Sequence, residues 1–388
     1  ILIMMGRSIT NRTQIVYDVM TVHQEMDAEP VIGVPNPQNA KSASLGASWE
    51  IDFWGKIRRM TEAAEADARS VEQTRRAALL SIVSNVVTQY VNLLALDEQL
   101  KIAQDTSANY KESLRIIDLQ FTYGVTSRMT VAQAASQYET AQSQIPQIRH
   151  NITQTENAIN ILRGRNPGPV QRGSTLATLQ TPVVPAALPS TLLLRRPDIL
   201  SAEQDLVAAN AMIGATRAMY FPTISLTGAF GTSSEHLRNL FKGPAKTWSF
   251  AGGISLPIFQ GGSIYSQVKQ AEAGQRAALA QYEGAVQSAF ADVDNALSYR
   301  QRVNEQLEKE KRLVDQLKDY SRLAKLQYDE GYSAYSVVLQ ADQSLFPRQL
   351  TLAQLRASSL NSVVGIYKSM GGGWIDLADV KTPQTVRN

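Results

Sequence analysis

No cysteine occurs among the 388 residues. That excludes disulfides, thiolate zinc sites, thiol nucleophiles and lipidation at a cysteine of these residues. Histidine is nearly absent too: His23, His150 and His236 lie far apart with no HExxH or paired spacing, which argues against a histidine-built metal centre. Charge of one sign is missing, since 38 Lys and Arg face 35 Asp and Glu for a net +3, so no strong field for nucleic acid exists. Charged residues make up only 19%, below the roughly 25% of an ordinary soluble domain. Asp292 and Asp294, two apart on a predicted helix, do not share a face, so they form no acid–base pair. No cofactor is expected, and these absences point away from an enzyme.

Long apolar runs are missing as well. Residues 77–96 carry no charge, yet Ser81, Ser84, Asn85, Thr88, Gln89 and Asn92 recur at steps of three and four. A polar stripe of that spacing marks an amphipathic helix and not a membrane span. The start, Ile1 to Met5, is apolar but too short for a signal core and has no charged residue before it.

What is present is a long internal repeat. Leu119-Gln120-Phe121-Thr122-Tyr123-Gly124 matches Leu326-Gln327-Tyr328-Asp329-Glu330-Gly331 at an offset of 207 residues, and the same offset carries Gly55 onto Gly262 and Gly164 onto Gly371. That period is far beyond a solenoid unit and predicts one duplicated half. Each half has the same order of elements. Residues 44–53 alternate apolar and polar, and Trp248, Phe250, Gly252, Ile254, Leu256 and Ile258 do so in phase with them. A partner strand precedes each, at 13–26 and from 223. Proline-free helical patterns of 65 residues follow, at 56–120 and 263–327. At 1.5 Å per residue each would span about 100 Å. Tyr123-Gly124 and Glu330-Gly331 mark turns, and returning helices occupy 126–163 and 334–370 with one internal proline each, Pro146 and Pro347. The returns are too short to regain the strands alone, so a helix at 198–220 completes the first return after a proline-rich join. The offset places the matching helix of the first half before residue 1, leaving only its end within 1–12. The sequence therefore reads as truncated at its N-terminus.

Four strands of about 10 to 13 residues have the length of tilted membrane-barrel strands, but four cannot close a barrel. Several chains must share one; dimers would give eight strands and trimers twelve.

The motifs Phe53-Trp54-Gly55-Lys56-Ile57-Arg58, Leu194-Arg195-Arg196-Pro197-Asp198-Ile199, Tyr220-Phe221-Pro222-Thr223-Ile224-Ser225-Leu226, Leu256-Pro257-Ile258-Phe259 with Gly261-Gly262, and Gly371-Gly372-Gly373-Trp374 resemble the TolC-like outer-membrane factors, closest to the OprM/OprN type. The resemblance runs from about residue 42 to 376. It implies an α+β membrane protein: a homotrimer whose three chains share an outer-membrane β-barrel that continues into a long α-helical barrel of coiled-coil hairpins through the periplasm of a Gram-negative bacterium. The parts would be barrel strands at 1–54, a helical hairpin at 55–163, an irregular equatorial segment at 164–196, an upper helix at 197–220, barrel strands at 221–260, a second hairpin at 261–370 and an equatorial tail at 371–388. The implied function is the passive exit duct of a tripartite multidrug efflux pump, with a periplasmic adaptor and an inner-membrane RND-type transporter as partners. A TolC-type conduit for protein secretion is the alternative within the fold; a soluble coiled-coil scaffold would leave the phase-matched strands unexplained.

The resemblance places adaptor contacts at the hairpin tips, here Gly124, Val125, Gly331, Tyr332 and Ser333. It places a periplasmic gate one to three turns from the second tip, where relatives carry an Asp ring in a segment like LLDAQRSL. This chain has Val338-Leu339-Gln340-Ala341-Asp342-Gln343-Ser344-Leu345 there, so Gln340 takes the Asp place. The expected gate is polar contacts and packing at Tyr335, Ser336 and Gln340; Asp342 lies about 200° away around the helix. Trp49, Trp54, Tyr220 and Trp248 are expected at the membrane interface. Arg196-Pro197-Asp198 reads as a helix start, with Pro in the first turn and Asp at the positive end.

Overall fold

The computed structural model describes residues 6–10, 13–24, 38–179 and 196–372. Its elements are β1 (Gly6–Thr10), β2 (Thr13–Gln24), β3 (Gln38–Ile51), α1 (Lys56–Thr122), α2 (Arg128–Leu162), α3 (Pro197–Arg217), β4 (Thr223–Ser234), β5 (Lys246–Ser255), α4 (Ser263–Asp329) and α5 (Tyr335–Ser369), with short 3₁₀ turns at Ala218–Tyr220, Leu237–Asn239 and Gly243–Ala245. Two compact units emerge: Ile1–Ser70 with Ala202–Tyr282, and Val71–Ser201 with Glu283–Asn388.

The first unit holds one antiparallel sheet in the order β1-β2-β3-β4-β5. Among the described residues five strands replace the four expected. Residues 1–12 were predicted to keep the end of a helix, but Gly6–Thr10 is a strand, paired with β2 from Gly6↔Tyr17 to Thr10↔Thr13. The segment Ser8-Ile9-Thr10 contains two β-branched residues, and the open edge of β2 lies two residues further along the chain. Pairing there satisfies backbone groups that a lone helical turn would leave open.

The register gives the sheet two unlike faces. Leu45, Ala47, Trp49 and Ile51 of β3 stand opposite Phe230, Gly228, Leu226 and Ile224 of β4. Those in turn meet Trp248, Phe250, Gly252 and Ile254 of β5. Directly paired residues share a face, so this face is apolar across three strands. It is also open: Trp248, Phe250 and Ile254 are more than two-thirds exposed. Ser44, Ser48, Ser225, Thr227, Thr247 and Ser249, with small residues between them, make the other face. At the helix end of the sheet, Trp54 stacks on Phe221 at 4.5 Å and its Nε1–H donates to Pro222 O at 2.9 Å. Asp52 starts α1 by accepting from the backbone N–H groups of Ile57 and Arg58, both at 2.9 Å.

In the second unit the hairpin helices pack through small residues, with Ala103, Ala141, Ala341 and Ala357 wholly buried. Of the irregular join, residues 164–179 are described and dock by Arg172, which reaches Asp97 at 2.9 Å and also Glu156, and by Gly173 N–H donating to Tyr90 Oη at 2.9 Å. Leu194, Arg195, Gly373 and Trp374 lie outside the described residues. Both internal prolines sit within unbroken helices. The helix bounds repeat at the sequence offset: α1 and α4 each have 67 residues, starting at 56 and 263, and α2 and α5 each have 35, starting at 128 and 335.

Gly231 is a tight point of the sheet, where an added Cβ would meet Ala43 O at 2.4 Å. Gly231→Ala should lower unfolding stability by about 1–3 kcal/mol, read by far-UV circular dichroism in denaturant. Gly228→Ala, whose Cβ would meet Ser249 O at 3.8 Å, serves as the tolerated control. Equal losses in both would show that the β3–β4 contact does not limit packing.

Candidate functional site at the hairpin tips

Both hairpins turn by the same backbone device. Beyond α1, Gly124 N–H donates to Phe121 O at 2.9 Å and Val125 N–H to Gln120 O at 2.7 Å; beyond α4, Gly331 N–H donates to Tyr328 O at 3.0 Å and Tyr332 N–H to Gln327 O at 2.8 Å. These are Schellman closures, which need a left-handed residue, and Gly124 and Gly331 have φ of +73° and +79°. The two glycines therefore have a structural task, and nothing lies within 4 Å of where their Cβ would be. The side chains beside them face outward: Tyr123, Val125 and Tyr332 are 80%, 74% and 85% exposed. Ser127 caps α2 by accepting from Thr130 N–H at 3.3 Å, whereas Ala334 offers α5 no side-chain cap. Ser333 Oγ is buried and unpaired.

The structure divides the gate candidates into two groups. Ser336 and Gln340, one turn apart on α5, are exposed. Tyr335 and Asp342 point inward. The Tyr335 ring meets Tyr328 edge-on at 5.4 Å, and Tyr328 Oη donates to Gln120 Oε1 at 2.8 Å, tying α4 to α1. Burial, then Asp342 and Tyr328, pushes the Tyr335 phenol up to about 12. Asp342 Oδ1 accepts from Ser321 Oγ at 2.6 Å, and its backbone carbonyl accepts from Tyr110 Oη at 3.4 Å. A cleft of about 480 Å³ passes these groups, lined also by Lys325 and Phe346. Burial raises the Asp342 carboxyl above its ordinary value, against the Ser321 hydrogen bond and the Lys325 charge.

Sequence reasoning missed Gln120, Tyr328, Tyr110 and Ser321 as partners of this region. It also missed Gln137, whose Nε2 donates to Leu339 O at 3.4 Å across the hairpins. No local signal marks them, because their partners lie tens to hundreds of positions away. Arg196 behaves likewise: its guanidinium binds Asp198 at 2.6 Å, Asp292 at 2.9 Å and Ser369 O at 2.9 Å, clamping α3 to α4 and α5. The helix-start reading of Pro197 and Asp198 holds, and Asp292 is a structural partner. Among the described residues no group of three or more His, Cys, Asp or Glu is placed to hold a metal.

At the sheet, Trp54 and Tyr220 stand at the helix end, Trp49 is two residues short of the end of β3, and Trp248 is at the loop end beside Phe230. All four are at least two-fifths exposed.

The Asp342 shift has a definite sign. A carboxyl whose folded pKa is raised holds its proton where the unfolded chain has released it, so stability falls as pH climbs from 3.8 through the raised value. Asp342→Asn keeps an acceptor for Ser321 and removes the charge. It should melt higher than the parent at neutral pH and converge with it below the ordinary carboxylate range. Parallel melting curves across that range would refute the burial cost.

The profile of the family described as "Outer membrane efflux protein" matches residues 21–165 and 188–372. The chain is 36% identical over 335 residues to the cation efflux system protein CusC of Escherichia coli O6:H1, covering 86% of this chain and 73% of CusC. It is 35% identical over 371 residues to the solvent efflux pump outer membrane protein SrpC of Pseudomonas putida, covering 95% and 77%. The open-state MtrE outer membrane channel of Neisseria gonorrhoeae superposes with a TM-score of 0.81 at 31% identity, covering 92% of this chain and 80% of that one. The one-faced sheet, the two tip-closed hairpins and these matches agree: the chain belongs to the outer membrane efflux protein family, the TolC-like factors of the Gram-negative outer membrane.

Proposed function

We propose that three copies of this duplicated chain assemble into the passive, gated exit duct of a tripartite efflux pump. Their sheets would close one barrel in the outer membrane and their hairpins one periplasmic tunnel. The observation that carries this is the sheet: an exposed apolar face over three strands, backed by a face of small and hydroxylic residues, is what a lipid-facing wall around an aqueous passage requires. The parts given from the sequence, 1–54 and 221–260 for barrel strands, 55–163 and 261–370 for hairpins, 197–220 for the upper helix, 164–196 and 371–388 for an equatorial belt, are proposed on the same basis. Export of small molecules would draw its energy and choice of cargo from an inner-membrane RND-type transporter, reached through a periplasmic adaptor. Similar proteins carry names for cation and for solvent efflux, which favours a duct that does not itself select.

Within that role, Gly124, Val125, Gly331, Tyr332 and Ser333 form the adaptor-facing tips, and Tyr335, Ser336, Gln340 and Asp342 the gate region. Ser336 and Gln340 are the exposed pair that neighbouring copies would bring together, with Tyr335 and Asp342 behind them. Trp49, Trp54, Tyr220 and Trp248 would sit at the membrane interfaces.

Mass and single-channel conductance of the detergent-purified protein test the assembly. Three times 42.6 kDa with gated pores is expected; a monomer, or a dimer of eight or ten strands, would sink it. The tips are tested separately. Tyr332→Ala and Val125→Ser remove exposed side chains, so stability should move by no more than about 0.5 kcal/mol. Adaptor binding should fall at least several-fold. Unchanged adaptor affinity in the double variant would reduce the tips to chain turns.

A further inference from the structure

The two ends of the sheet differ in what their cations do. At the helix end each is in an ion pair: Lys56 with Glu50, Arg58 with Asp52, Arg59 with Glu62, and Arg217 and Lys269 with Glu272. At the loop end, Lys41, which pairs in register with Ser234, Arg238 and Lys242 of the β4–β5 connection, and Lys246 at the start of β5 have no ion-pair partner among the described residues. That connection is well held. Leu240 and Ala245 are buried at 4% and 8% exposure, and hydrogen bonds from Asn239 N to His236 O, Leu240 N to Leu237 O, Lys242 N to Asn239 O and Ala245 N to Lys242 O close its turns. Arg238, Lys242 and Lys246 are left exposed on this frame. Between them in sequence stand Leu237 at 63% and Phe241 at 80% exposure, and on the apolar face of the sheet the parallel rings of Trp248 and Phe250 lie 5.9 Å apart.

We infer that the β4–β5 connection is a docking surface for the phosphate groups of an anionic outer-leaflet lipid. Leu237 and Phe241 enter the upper acyl layer while Arg238, Lys242 and Lys246 reach the phosphates. The inference rests on the proposed placement of the sheet in the membrane. Charge complementarity chooses the occupant. Exposed cations interleaved with exposed apolar side chains suit a surface that is apolar below and anionic above, where long basic side chains lay their stems on hydrocarbon and their heads among phosphates. A soluble anion would leave Phe241 and Leu237 without a role. At the helix end the cations are already neutralised by the protein's own carboxylates, so the two ends of the sheet would meet their leaflets with different chemistry.

The test is native mass spectrometry of the full chain in neutral detergent, titrated with bis-phosphorylated lipid A, with dephosphorylated lipid A and with inorganic phosphate. Bis-phosphorylated lipid A should bind best, with affinity falling about fivefold for each of Arg238→Gln, Lys242→Gln and Lys246→Gln. Lys269→Gln should leave it unchanged. Equal binding of the dephosphorylated lipid would reduce the surface to apolar adhesion, and equal competition by inorganic phosphate would make it a free-anion site; either overturns the inference. So would a triple variant that binds as the parent does, the result expected if Glu25, Asp27 and Glu29 of the other connection neutralise these cations. Flotation with phosphatidylcholine vesicles separates the two levels. A chain that inserts without phosphate preference refutes the lipid surface alone, whereas a chain that does not insert refutes the membrane placement and the surface with it.

Discussion

A helix of 67 residues has no internal reason to stop, and in this chain it stops because a glycine lets the backbone turn left-handed. Among the described residues every positive φ belongs to glycine, and Gly124, Gly164, Gly331 and Gly371 each follow the end of a hairpin helix. A side chain in that conformation costs about 1–2 kcal/mol, so the closures hold the helix ends in place. Equal length follows, and with it lateral register. One extra residue in α1 would rotate everything after it by about 100°, and Gln120 would no longer meet Tyr328. The tip closures therefore govern contacts made well away from the tips.

Within that frame, small residues bring the helices close and polar pairs decide how far along they slide. Alanine contacts alone tolerate sliding, because one methyl resembles the next. Asn92 with Asn361 at 2.8 Å, Gln99 with Leu350 O at 3.3 Å, Ser359 with Asn304 at 2.6 Å and Arg356 with Glu98 at 2.7 Å do not. A displaced register would leave their polar groups half-buried and unpaired, which costs more than the bonds contribute. The charge-free stretch of α1 fits this logic. It holds an 18-residue window of mean hydropathy 1.6; Ile82 and Val87 stay exposed, whereas Leu93, Leu94 and Ala95 are buried and Asn92 of the polar stripe binds α5, so part of the stretch packs on helices and part of its stripe serves register.

What was legible in the sequence was what repeats or alternates. Period-two patterning gave β3 and β5, and glycine and proline punctuation gave the hairpin ends to within two residues. The offset of 207 seen in the motifs also relates the helix starts of the two halves. β1 was misjudged because the offset extrapolated a helix onto residues where strand pairing with β2 offers more hydrogen bonds. The candidate site was legible only as far as its own helix. Spacing placed Gln340 and Asp342 on different faces of α5, which holds, but nothing local says that Asp342 meets Ser321, or that Arg196 gathers Asp198, Asp292 and Ser369. Such contacts are decided by packing between elements distant in sequence.

The face of the sheet opposite the apolar one bears on what the proposed duct would offer a passing solute. Across β3, β4 and β5 it presents Ser44, Ser48, Ser225, Thr227 and Ser249 with alanine and glycine between them, and the one carboxylate on these three strands, Glu50, is held by Lys56 at 3.2 Å, while Asp18 of β2 stands in register with Ser44. Lining a proposed barrel, the β3–β5 part of this face offers hydroxyls that water serves equally well and no aromatic platform to retain a solute. Tight binding inside a passage would slow release, so an exit duct gains from a lining that exchanges readily with water. In the proposed duct, control would then lie where the chain concentrates interactions, at the hairpin ends, where Tyr335 and Asp342 are half-buried and Ser336 and Gln340 exposed.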